Sequence, residues 1–370
     1  MTVAVAPSNT SRRAAFHPLT VARVDQLCVD AVAVTFAVPP ELAETFAFRA
    51  GQYLTLRQDV AGREERRSYS ICAPEGQPPR IGVRRVAGGL FSERLLAGVR
   101  PGDVLDVLPP LGGFTPDPAI PAHHGFVAAG SGITPVLSMA ATVLAGHPDS
   151  TVTVLYGNRR SDTVMFAEEL ADLKDAHPAR TQLVHVLSRE PRDVELFSGR
   201  LDADRLRRLF ATVVPADEID QWWLCGPLGL VRDAQRVLAE RGVPAEAVHQ
   251  ELFYVDEPPP EPARPAEDGA AGGSGAAGPV STVTVRLDGR ETVLRLPRDT
   301  PILDAAQRVR ADLPFACKGG VCGTCRARVL AGEVRMRRNY ALDQRELDAG
   351  FVLTCQALPR TDHVTIDYDA

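Results

Sequence analysis

Four cysteines carry the clearest chemical signal in this 370-residue sequence. Cys317, Cys322 and Cys325 follow the spacing Cys-x4-Cys-x2-Cys, and Cys355 stands after 29 intervening residues. This is the arrangement of thiolates that ligate a plant-type [2Fe–2S] cluster. A structural zinc ion, the alternative, is usually held by two pairs of close ligands, whereas here three ligands are close and the fourth stands alone. The pattern therefore favours an iron–sulfur cluster, which transfers one electron at a time.

A guanidinium, an aromatic ring and a hydroxyl lie close together at the end of a predicted strand. Alternation along the strand places Arg67 and Tyr69 on one face and Ser70 on the other. An arginine fork suits a diphosphate, the tyrosine ring can lie on a flavin, and the serine hydroxyl can reach a flavin nitrogen. The residues predict an FAD site, with an ordinary edge strand as the alternative.

The segment 88–92 supports the same cofactor. Gly88 and Gly89 precede a short predicted helix that contains Ser92. A helix N-terminus of this kind is a natural anion site, here for the flavin pyrophosphate. A simple turn is the alternative.

Another glycine-rich turn follows the predicted buried strand 126–129. Gly130 and Gly132 open this turn, so that the phosphate of a dinucleotide can approach the N-terminus of the next helix. Thr134 is the expected N-cap of that helix, and Pro135 fits its first turn. Because the G-x-G-x-x-G fingerprint is not present here, a purely structural turn is the alternative.

Cys225, Gly226 and Pro227 end a later strand of the same predicted sheet, at the edge where open α/β sheets bind ligands. The small thiol and the flanking Gly-Pro leave room for a nicotinamide ring, whereas a buried structural cysteine is the alternative. Ser70 and Cys225 are the predicted catalytic residues, because one is expected at the flavin and the other at the nicotinamide.

Residues after two strands of this sheet bear on the choice between NADPH and NADH. Arg159 and Arg160 lie where an NAD enzyme carries an acid for the ribose 2′-hydroxyl, and no Asp or Glu stands at 156–159. Ser188 and Arg189 follow the next strand and can hold a 2′-phosphate. We therefore expect NADPH as the electron donor, with ordinary surface arginines as the alternative.

Strand and helix patterns divide the chain into three blocks. Residues 16–117 contain six short β-branched runs, which predict an FAD-binding antiparallel β-barrel. Residues 118–256 alternate strands with amphipathic helices, which predicts an NADP-binding parallel α/β sheet. Residues 280–370 have the outline of a β-grasp domain around the cysteines. A disordered tail is expected at 1–15 and a Pro- and Gly-rich linker at 257–279, so that the fold class is multidomain, α/β plus β.

Composition argues against several classes of function. A net charge of −6 without a dense basic stripe argues against a nucleic-acid partner. No apolar run approaches the roughly 18 residues of a membrane span, and residues 1–17 lack the apolar core of a signal peptide. We expect a cytoplasmic protein without a membrane partner, in which thiols stay reduced.

Taken in order, the motifs at 67–70, 88–92, 130–135 and 225–227 resemble those of the ferredoxin–NADP reductase family, and the four cysteines resemble those of plant-type ferredoxins. The resemblance implies that the first two motifs bind FAD and that the other two receive the nicotinamide dinucleotide. It also implies a 2′-phosphate site at Ser188 and Arg189, and it places Phe253 as a cover over the flavin.

The stretches 316–325, 336–342 and 350–357 resemble the reductase subunits of phenylacetyl-CoA epoxidases, multicomponent di-iron oxygenases of aerobic phenylacetate breakdown. This resemblance implies that electrons pass from NADPH through FAD and the [2Fe–2S] cluster to partner oxygenase subunits. Two alternatives stay open. One is the reductase of another oxygenase, such as a Rieske-type aromatic or steroid hydroxylase, and the other is a redox-sensing protein that does not turn over.

Overall fold

The computed structural model describes residues 15–60, 63–254, 279–310, 312–342 and 344–370. The chain divides into two compact units, one of them spanning Phe16–Asp256 and the other containing the C-terminal segment. Apart from residues 15 and 279, the predicted tail and linker lie outside the described residues. Over the described ranges, no helix has both the length and the apolar character needed to cross a membrane.

The first half of the larger unit is an antiparallel barrel. Its strand order is β4-β3-β6-β1-β2-β5, and a bridge between the fully buried Ile71 and Ile81 joins the two ends of the sheet. The strands are β1 (His17–Cys28), β2 (Ala31–Ala37), β3 (Tyr53–Val60), β4 (Arg63–Ser70), β5 (Arg80–Arg84) and β6 (Val104–Val107), and helix α1 (Leu90–Gly98) follows β5. The predicted barrel is confirmed.

The barrel is held together by β-branched, aliphatic and aromatic side chains on its inner face. Val34, Phe36, Leu54 and Leu56 are fully buried there. Burying one such side chain contributes on the order of 1.5–3 kcal/mol. This inner core fixes the register of β4, and with it the positions of Arg67, Tyr69 and Ser70.

The second half of the larger unit is a five-stranded parallel sheet of order β11-β10-β7-β8-β9. The strand order reverses between β7 and β10, and such a switch point is where open α/β sheets bind ligands. The strands are β7 (His123–Ala129), β8 (Thr151–Asn158), β9 (Thr181–Leu187), β10 (Gln221–Pro227) and β11 (Val248–Tyr254). The helices are α2 (Ile133–Gly146), α3 (Ala167–Ala176), α4 (Ala203–Thr212) and α5 (Leu228–Glu240). The predicted α/β sheet is confirmed.

The start of α2 differs from the prediction. A 3₁₀ turn over Gly130–Gly132 leads directly into the helix, whose N-cap is Gly132 rather than Thr134. Thr134 therefore lies in the first helical turn, where its hydroxyl donates to the carbonyl of Ser131 at 2.9 Å. The prediction of Thr134 as N-cap is wrong, because the glycines extend the helical path backwards by one turn. Pro135 does lie in the first turn of the helix, as expected.

The C-terminal unit has the predicted β-grasp topology, with a mixed sheet of order β13-β12-β18-β14-β16. Asp288 and Gly289, with φ of 53° and 68°, form the tight turn of its first hairpin. The strands are β12 (Val280–Leu287), β13 (Arg290–Pro297), β14 (Arg326–Ala331), β15 (Val334–Met336), β16 (Phe351–Leu353), β17 (Ala357–Pro359) and β18 (His363–Asp367). The helices are α6 (Ile302–Ala306) and α7 (Gln344–Asp348).

A buried histidine couples the stability of the larger unit to pH. His124 is 3% exposed, and its Nδ1 accepts a hydrogen bond from Trp223 Nε1 at 3.2 Å. Burial lowers the pKa of His124 from 6.5 to about 4. The folded state thus excludes a proton that the unfolded chain binds below pH 6.5, so the free energy of unfolding falls as the pH is lowered from 6.5 towards 4.

We predict that His124→Asn, which keeps an acceptor for Trp223 but cannot become charged, makes the unfolding free energy less sensitive to acid. Between pH 7 and pH 5 the wild-type protein should lose about 2 kcal/mol more than the variant, because one pKa unit corresponds to about 1.4 kcal/mol. Urea unfolding followed by tryptophan fluorescence measures this difference, and His363→Asn at an exposed position of the other unit is the control. Equal losses in wild type and His124→Asn would contradict the prediction.

Candidate functional site

A hydrogen bond joins the end of a barrel strand to the parallel sheet. Ser70, the last residue of β4, is buried, and its hydroxyl donates to Glu251 Oε2 at 3.0 Å. Glu251 on β11 is the direct neighbour of Cys225 on β10. The two predicted catalytic residues therefore lie on either side of one carboxyl group, at the switch point of the sheet.

Burial changes the pKa values of both Glu251 and Cys225. Burial raises the pKa of the Glu251 carboxyl from 4.5 to about 7, and the hydrogen bond from Ser70 opposes part of that rise. Burial, followed by the nearby Glu251, raises the pKa of the Cys225 thiol well above 9.0. Glu251 can thus exchange a proton near neutral pH, while Cys225 stays a neutral thiol. A group with these properties is suited to proton transfer.

The other residues of β4 follow the predicted alternation. The Tyr69 ring is partly buried and lies 6.1 Å from the Phe91 ring, and burial raises the pKa of its hydroxyl. The Arg67 side chain is 47% exposed and forms an ion pair with Glu65 at 2.9 Å. A ring, a hydroxyl and a guanidinium therefore line the end of one strand, and this donor set fits a flavin nucleotide.

The glycine turn before α1 is tied by its own side chains. Ser92 Oγ accepts from the Val86 N–H at 3.1 Å and donates to the Gly89 carbonyl at 3.2 Å. The Gly88 N–H donates to Glu93 Oε1 at 3.0 Å. Ser92 thus holds the turn in shape. A pyrophosphate bound at the Gly88 N–H would displace the exposed Glu93 carboxylate, and the loss of such a surface contact costs about 0–1 kcal/mol.

The turn after β7 packs directly against the end of β10. A Cβ atom on Gly132 would lie 2.2 Å from the Cys225 carbonyl oxygen and 3.0 Å from the Gly226 nitrogen, so that only glycine permits this approach. Gly130 has a φ of 58°, and its carbonyl accepts from the Tyr156 hydroxyl at 2.9 Å. The structure therefore brings the two predicted nucleotide motifs, 130–135 and 225–227, together at the switch point. Gly132 thus serves this packing contact, and the turn as a site for a dinucleotide phosphate stays a prediction.

Phe253 lies next to this junction along β11. Its partly buried ring packs on the core shared by α2, β7 and β10. The pairing of β10 with β11 shifts register between Gly226 and Pro227, which pair with Leu252 and Tyr254 respectively. Phe253 therefore has no direct partner on β10.

The residues predicted to recognise a 2′-phosphate meet at the adjoining edge of the sheet. The Ser188 N–H donates to the Asn158 carbonyl and the Arg189 N–H to the Arg159 carbonyl, both at 2.8 Å. The Arg159 side chain is 49% exposed and forms an ion pair with Asp30 at 2.7 Å. The loops after β8 and β9 thus form one surface, and a carboxylate from the barrel reaches it.

A second carboxylate also lies at this edge. Glu190 Oε2 accepts from the Ser161 N–H at 2.8 Å and from its hydroxyl at 2.9 Å, and these bonds lower the pKa of Glu190. No acid ends β8 itself, as the sequence indicated, but the tertiary structure brings Asp30 and Glu190 to its carboxyl end.

In the C-terminal unit the four cysteines form two pairs. The thiols of Cys317 and Cys322 interact, as do those of Cys325 and Cys355, and each pairing lowers the pKa of one thiol of the pair and raises that of the other. Within the described residues, no group of three or more His, Cys, Asp or Glu side chains is arranged to hold a single metal ion. The structure thus brings together the four cysteines that the sequence predicts as cluster ligands.

Backbone N–H groups surround the sulfur of Cys317. Cys317 Sγ accepts from the N–H groups of Gly319, Val321 and Cys322, each at 3.4 Å. Gln356 is fully buried, and its amide donates to the Lys318 carbonyl at 2.8 Å and lies 3.7 Å from Cys355 Sγ. The loop is therefore arranged for anionic sulfur and is tied to the fourth cysteine, which fits a [2Fe–2S] cluster.

Glu251 and Gln356 are residues that motif analysis missed. Glu251 offered only a weak signal, as the one acidic residue in the strand 248–254. The position directly after Cys355 could have identified Gln356 as a residue near the cluster. Asp30 offered no signal, because it is a single acid in a hairpin turn between β1 and β2.

Three family models match the chain. The oxidoreductase FAD-binding domain matches residues 18–115, the oxidoreductase NAD-binding domain residues 126–236, and the 2Fe-2S iron-sulfur cluster binding domain residues 285–360. The order of these matches is that of the barrel, the parallel sheet and the β-grasp domain. The chain therefore has the domains for FAD, a nicotinamide dinucleotide and a [2Fe–2S] cluster.

Two curated relatives match almost end to end. The chain is 43% identical over 360 residues to the E component of 1,2-phenylacetyl-CoA epoxidase of Escherichia coli (strain K12), covering 96% of this chain and 98% of the relative. It is 35% identical to the ferredoxin reductase component of 3-ketosteroid-9-alpha-monooxygenase of Rhodococcus rhodochrous, covering 95% and 96%. Among solved structures, phthalate dioxygenase reductase shares the fold, with a TM-score of 0.56 and 23% identity over 95% of this chain and 98% of that one.

We predict that Cys322→Ser abolishes the visible absorbance of the cluster and its reduced-state EPR signal while FAD stays bound. The reason is that serine removes one of the paired thiolates, whereas the flavin residues lie in the other unit. Cys28→Ser, which changes a cysteine of the larger unit, is the control and should leave both signals in place. An unchanged EPR signal in Cys322→Ser would remove Cys322 from the ligand set.

Proposed function

The chain belongs to the ferredoxin–NADP reductase family, in the group that carries a C-terminal plant-type ferredoxin domain, and from this premise we propose that it is the reductase component of a multicomponent di-iron oxygenase. It is an NAD(P)H-dependent flavin and iron–sulfur oxidoreductase. The proposed partner is a phenylacetyl-CoA epoxidase, which would place the chain in aerobic phenylacetate catabolism. NADPH is the proposed electron donor.

The hydrogen bond between Ser70 and Glu251 is the observation that carries the reductase function. It joins the strand that bears the flavin residues to the strand end where the nucleotide motifs meet. A hydride donor and a hydride acceptor must come within about 3–3.5 Å of each other, and this junction is where the two cofactor sites adjoin.

The site residues have the following proposed roles. Arg67, Tyr69, Ser70, Gly88, Gly89, Ser92 and Phe253 hold FAD. Gly130, Gly132, Thr134, Pro135, Cys225, Gly226 and Pro227 hold the nicotinamide and its phosphates, while Arg159, Ser188 and Arg189 hold the 2′-phosphate. Cys317, Cys322, Cys325 and Cys355 ligate the cluster. Bound FAD would supply chemistry that converts a two-electron hydride transfer into single-electron transfers, and a bound cluster would supply single-electron transfer to the oxygenase.

We propose that Ser70 and Glu251 accept the proton that hydride transfer leaves behind. Hydride carries a proton together with two electrons, so one proton must leave the junction when the two electrons leave singly. The Ser70 hydroxyl already donates to the Glu251 carboxyl, whose pKa of about 7 lets it accept that proton at neutral pH. The neutral Cys225 thiol next to Glu251 occupies little space, which leaves room for the nicotinamide ring.

Sequence identity supports the epoxidase over the steroid monooxygenase as the proposed partner. The identity to the epoxidase component is 43%, against 35% to the steroid monooxygenase component, and both matches cover the cluster domain. The steroid relative keeps a Rieske-type hydroxylase as the second candidate partner.

The proposed domain boundaries follow residues 15, 117, 256 and 279, and the proposed location is the cytoplasm.

We predict that Glu251→Gln removes an inflection near pH 7 from the rate of NADPH-dependent cytochrome c reduction. The wild-type rate should rise through pH 7 as the carboxylate forms, because only the ionised group accepts a proton. Glutamine keeps the hydrogen bond with Ser70 but cannot take up a proton, so the variant should be slower, by about 10²-fold as is typical for a lost general base. An inflection of the same size in Glu251→Gln would exclude this carboxyl as its source.

The test of the partner is phenylacetyl-CoA-dependent NADPH oxidation in a lysate of a source strain that lacks this gene. The purified protein should restore the activity, whereas the Cys322→Ser variant, which is expected to retain FAD but not the cluster, should not. Activity that persists in the deletion strain without added protein would assign the chain to another oxygenase. Rapid cytochrome c reduction by the purified protein would exclude a redox sensor that does not turn over.

A further inference from the structure

Asp30 lies at the tip of the hairpin between β1 and β2, where the barrel approaches the parallel sheet. Its Oδ2 forms an ion pair with Arg159 at 2.7 Å, and its Oδ1 lies 3.4 Å from Arg84 Nε and accepts from Cys28 Sγ at 3.3 Å. The Asp30 side chain is 18% exposed, against 49% for Arg159. A largely buried carboxylate of the barrel thus holds a half-exposed arginine of the nucleotide-binding sheet.

Arg159 belongs to the edge that is proposed to receive the adenosine 2′-phosphate. Its carbonyl accepts from the Arg189 N–H at 2.8 Å, and Ser188 is fixed beside it by the Asn158 carbonyl. A guanidinium already engaged by a carboxylate at 2.7 Å has fewer donors to offer a phosphate. Two anions, one inside the protein and one on the ligand, therefore compete for the same guanidinium.

We propose that Asp30 is an intramolecular competitor of the adenosine 2′-phosphate and thereby sets the preference between NADPH and NADH. Asp30 pairs with Arg159 when the bound nucleotide lacks a 2′-phosphate, and it gives up Arg159 when the phosphate is present. This inference rests on the proposed role of Arg159 in NADPH binding.

The surroundings of Asp30 make the release of Arg159 feasible. A largely buried carboxylate left without a cationic partner would be strongly destabilising. Arg84 avoids this, because it stays 3.4 Å from Asp30 and is itself held by the Thr163 carbonyl. Asp30 therefore keeps one cationic partner after Arg159 has turned to the phosphate.

The position of Arg84 connects this exchange to the rest of the nucleotide site. A Cβ atom on Gly130 would lie 3.2 Å from Arg84 Nη1, so this guanidinium packs against the glycine turn before α2. The exchange at Asp30 thus takes place between the two ends of the proposed dinucleotide site, the 2′-phosphate edge at Arg159 and the turn at Gly130.

The experiment compares two ligands that differ only in the 2′-phosphate, namely 2′,5′-ADP and 5′-AMP. Isothermal titration of the FAD- and cluster-containing protein gives the dissociation constants for wild type, Asp30→Asn, Arg159→Ala and the double variant. Asp30→Asn should bind 2′,5′-ADP about three- to tenfold more tightly, because a competing ion pair is removed, and 5′-AMP with unchanged affinity. In the double variant, which also carries Arg159→Ala, Asp30→Asn should not increase the affinity for 2′,5′-ADP.

Asp25→Asn is the matched control. Asp25 is another barrel carboxylate at the contact of barrel and sheet, but it lies within β1 and pairs with Arg23 at 3.0 Å and with Arg80 at 3.1 Å, which in turn pairs with Glu169. Its substitution removes the same charge without touching Arg159. The affinity of Asp25→Asn for 2′,5′-ADP should therefore match that of the wild type.

The outcomes separate the inference from the proposed function. If the wild type binds 2′,5′-ADP more tightly than 5′-AMP and Asp30→Asn leaves the ratio unchanged, the competition is refuted and NADPH remains the donor. The competition would also be refuted if Asp30→Asn increased the affinity for both ligands equally, or if it increased the affinity for 2′,5′-ADP in the absence of Arg159. If no variant distinguishes the two ligands, both the competition and the proposed use of NADPH are wrong.

Discussion

The docking of the β-barrel on the parallel sheet through a shared apolar core is the constraint on which the arrangement of the larger unit depends, and the hydrogen bond from Ser70 to Glu251 is formed across this contact. The two residues are 181 positions apart, and only the docking of the barrel on the parallel sheet brings them to 3.0 Å. The bond starts at the end of β4, where the proposed flavin residues lie, and it reaches β11 beside Cys225, whose carbonyl packs against Gly132 at the switch point. Displacement of either half would separate the proposed flavin residues from the proposed nucleotide motifs, so the docking of the two halves is part of the proposed active site.

The two units divide the chemistry according to what each environment allows. In the larger unit, burial keeps Cys225 neutral and brings the pKa of Glu251 close to 7, which suits the transfer of hydride and a proton. In the C-terminal unit, Cys317 is exposed and its sulfur accepts three backbone N–H groups, which suits a group that exchanges only electrons with a partner. Electron exchange at a surface needs no proton path, and the hydride step needs a site from which water is excluded.

The parts that could be predicted from the sequence are those fixed by local geometry. The spacing of the cysteines, the alternation along 67–70 and the glycines at 130 and 132 each act within a few residues, and the fold class follows from strand and helix periodicity. The expectation of Thr134 as N-cap is wrong, because a 3₁₀ turn and an α-helix can run on without a break. The roles of Glu251 and Asp30 could not be predicted, because each depends on a contact between β-barrel and parallel sheet that no local pattern encodes.

The most direct test of the junction is anaerobic rapid mixing of the complete protein with NADPH, with flavin absorbance and the cluster EPR signal followed over time in wild type and Ser70→Ala. If hydride is transferred to the flavin beside Ser70 and Glu251, the flavin band should bleach first and the cluster signal should follow. Ser70→Ala should then bleach at least about tenfold more slowly, since it loses a group positioned at the reacting atoms. Bleaching at the wild-type rate in Ser70→Ala, or a cluster signal that precedes bleaching, would contradict the assignment of this junction as the site of hydride transfer.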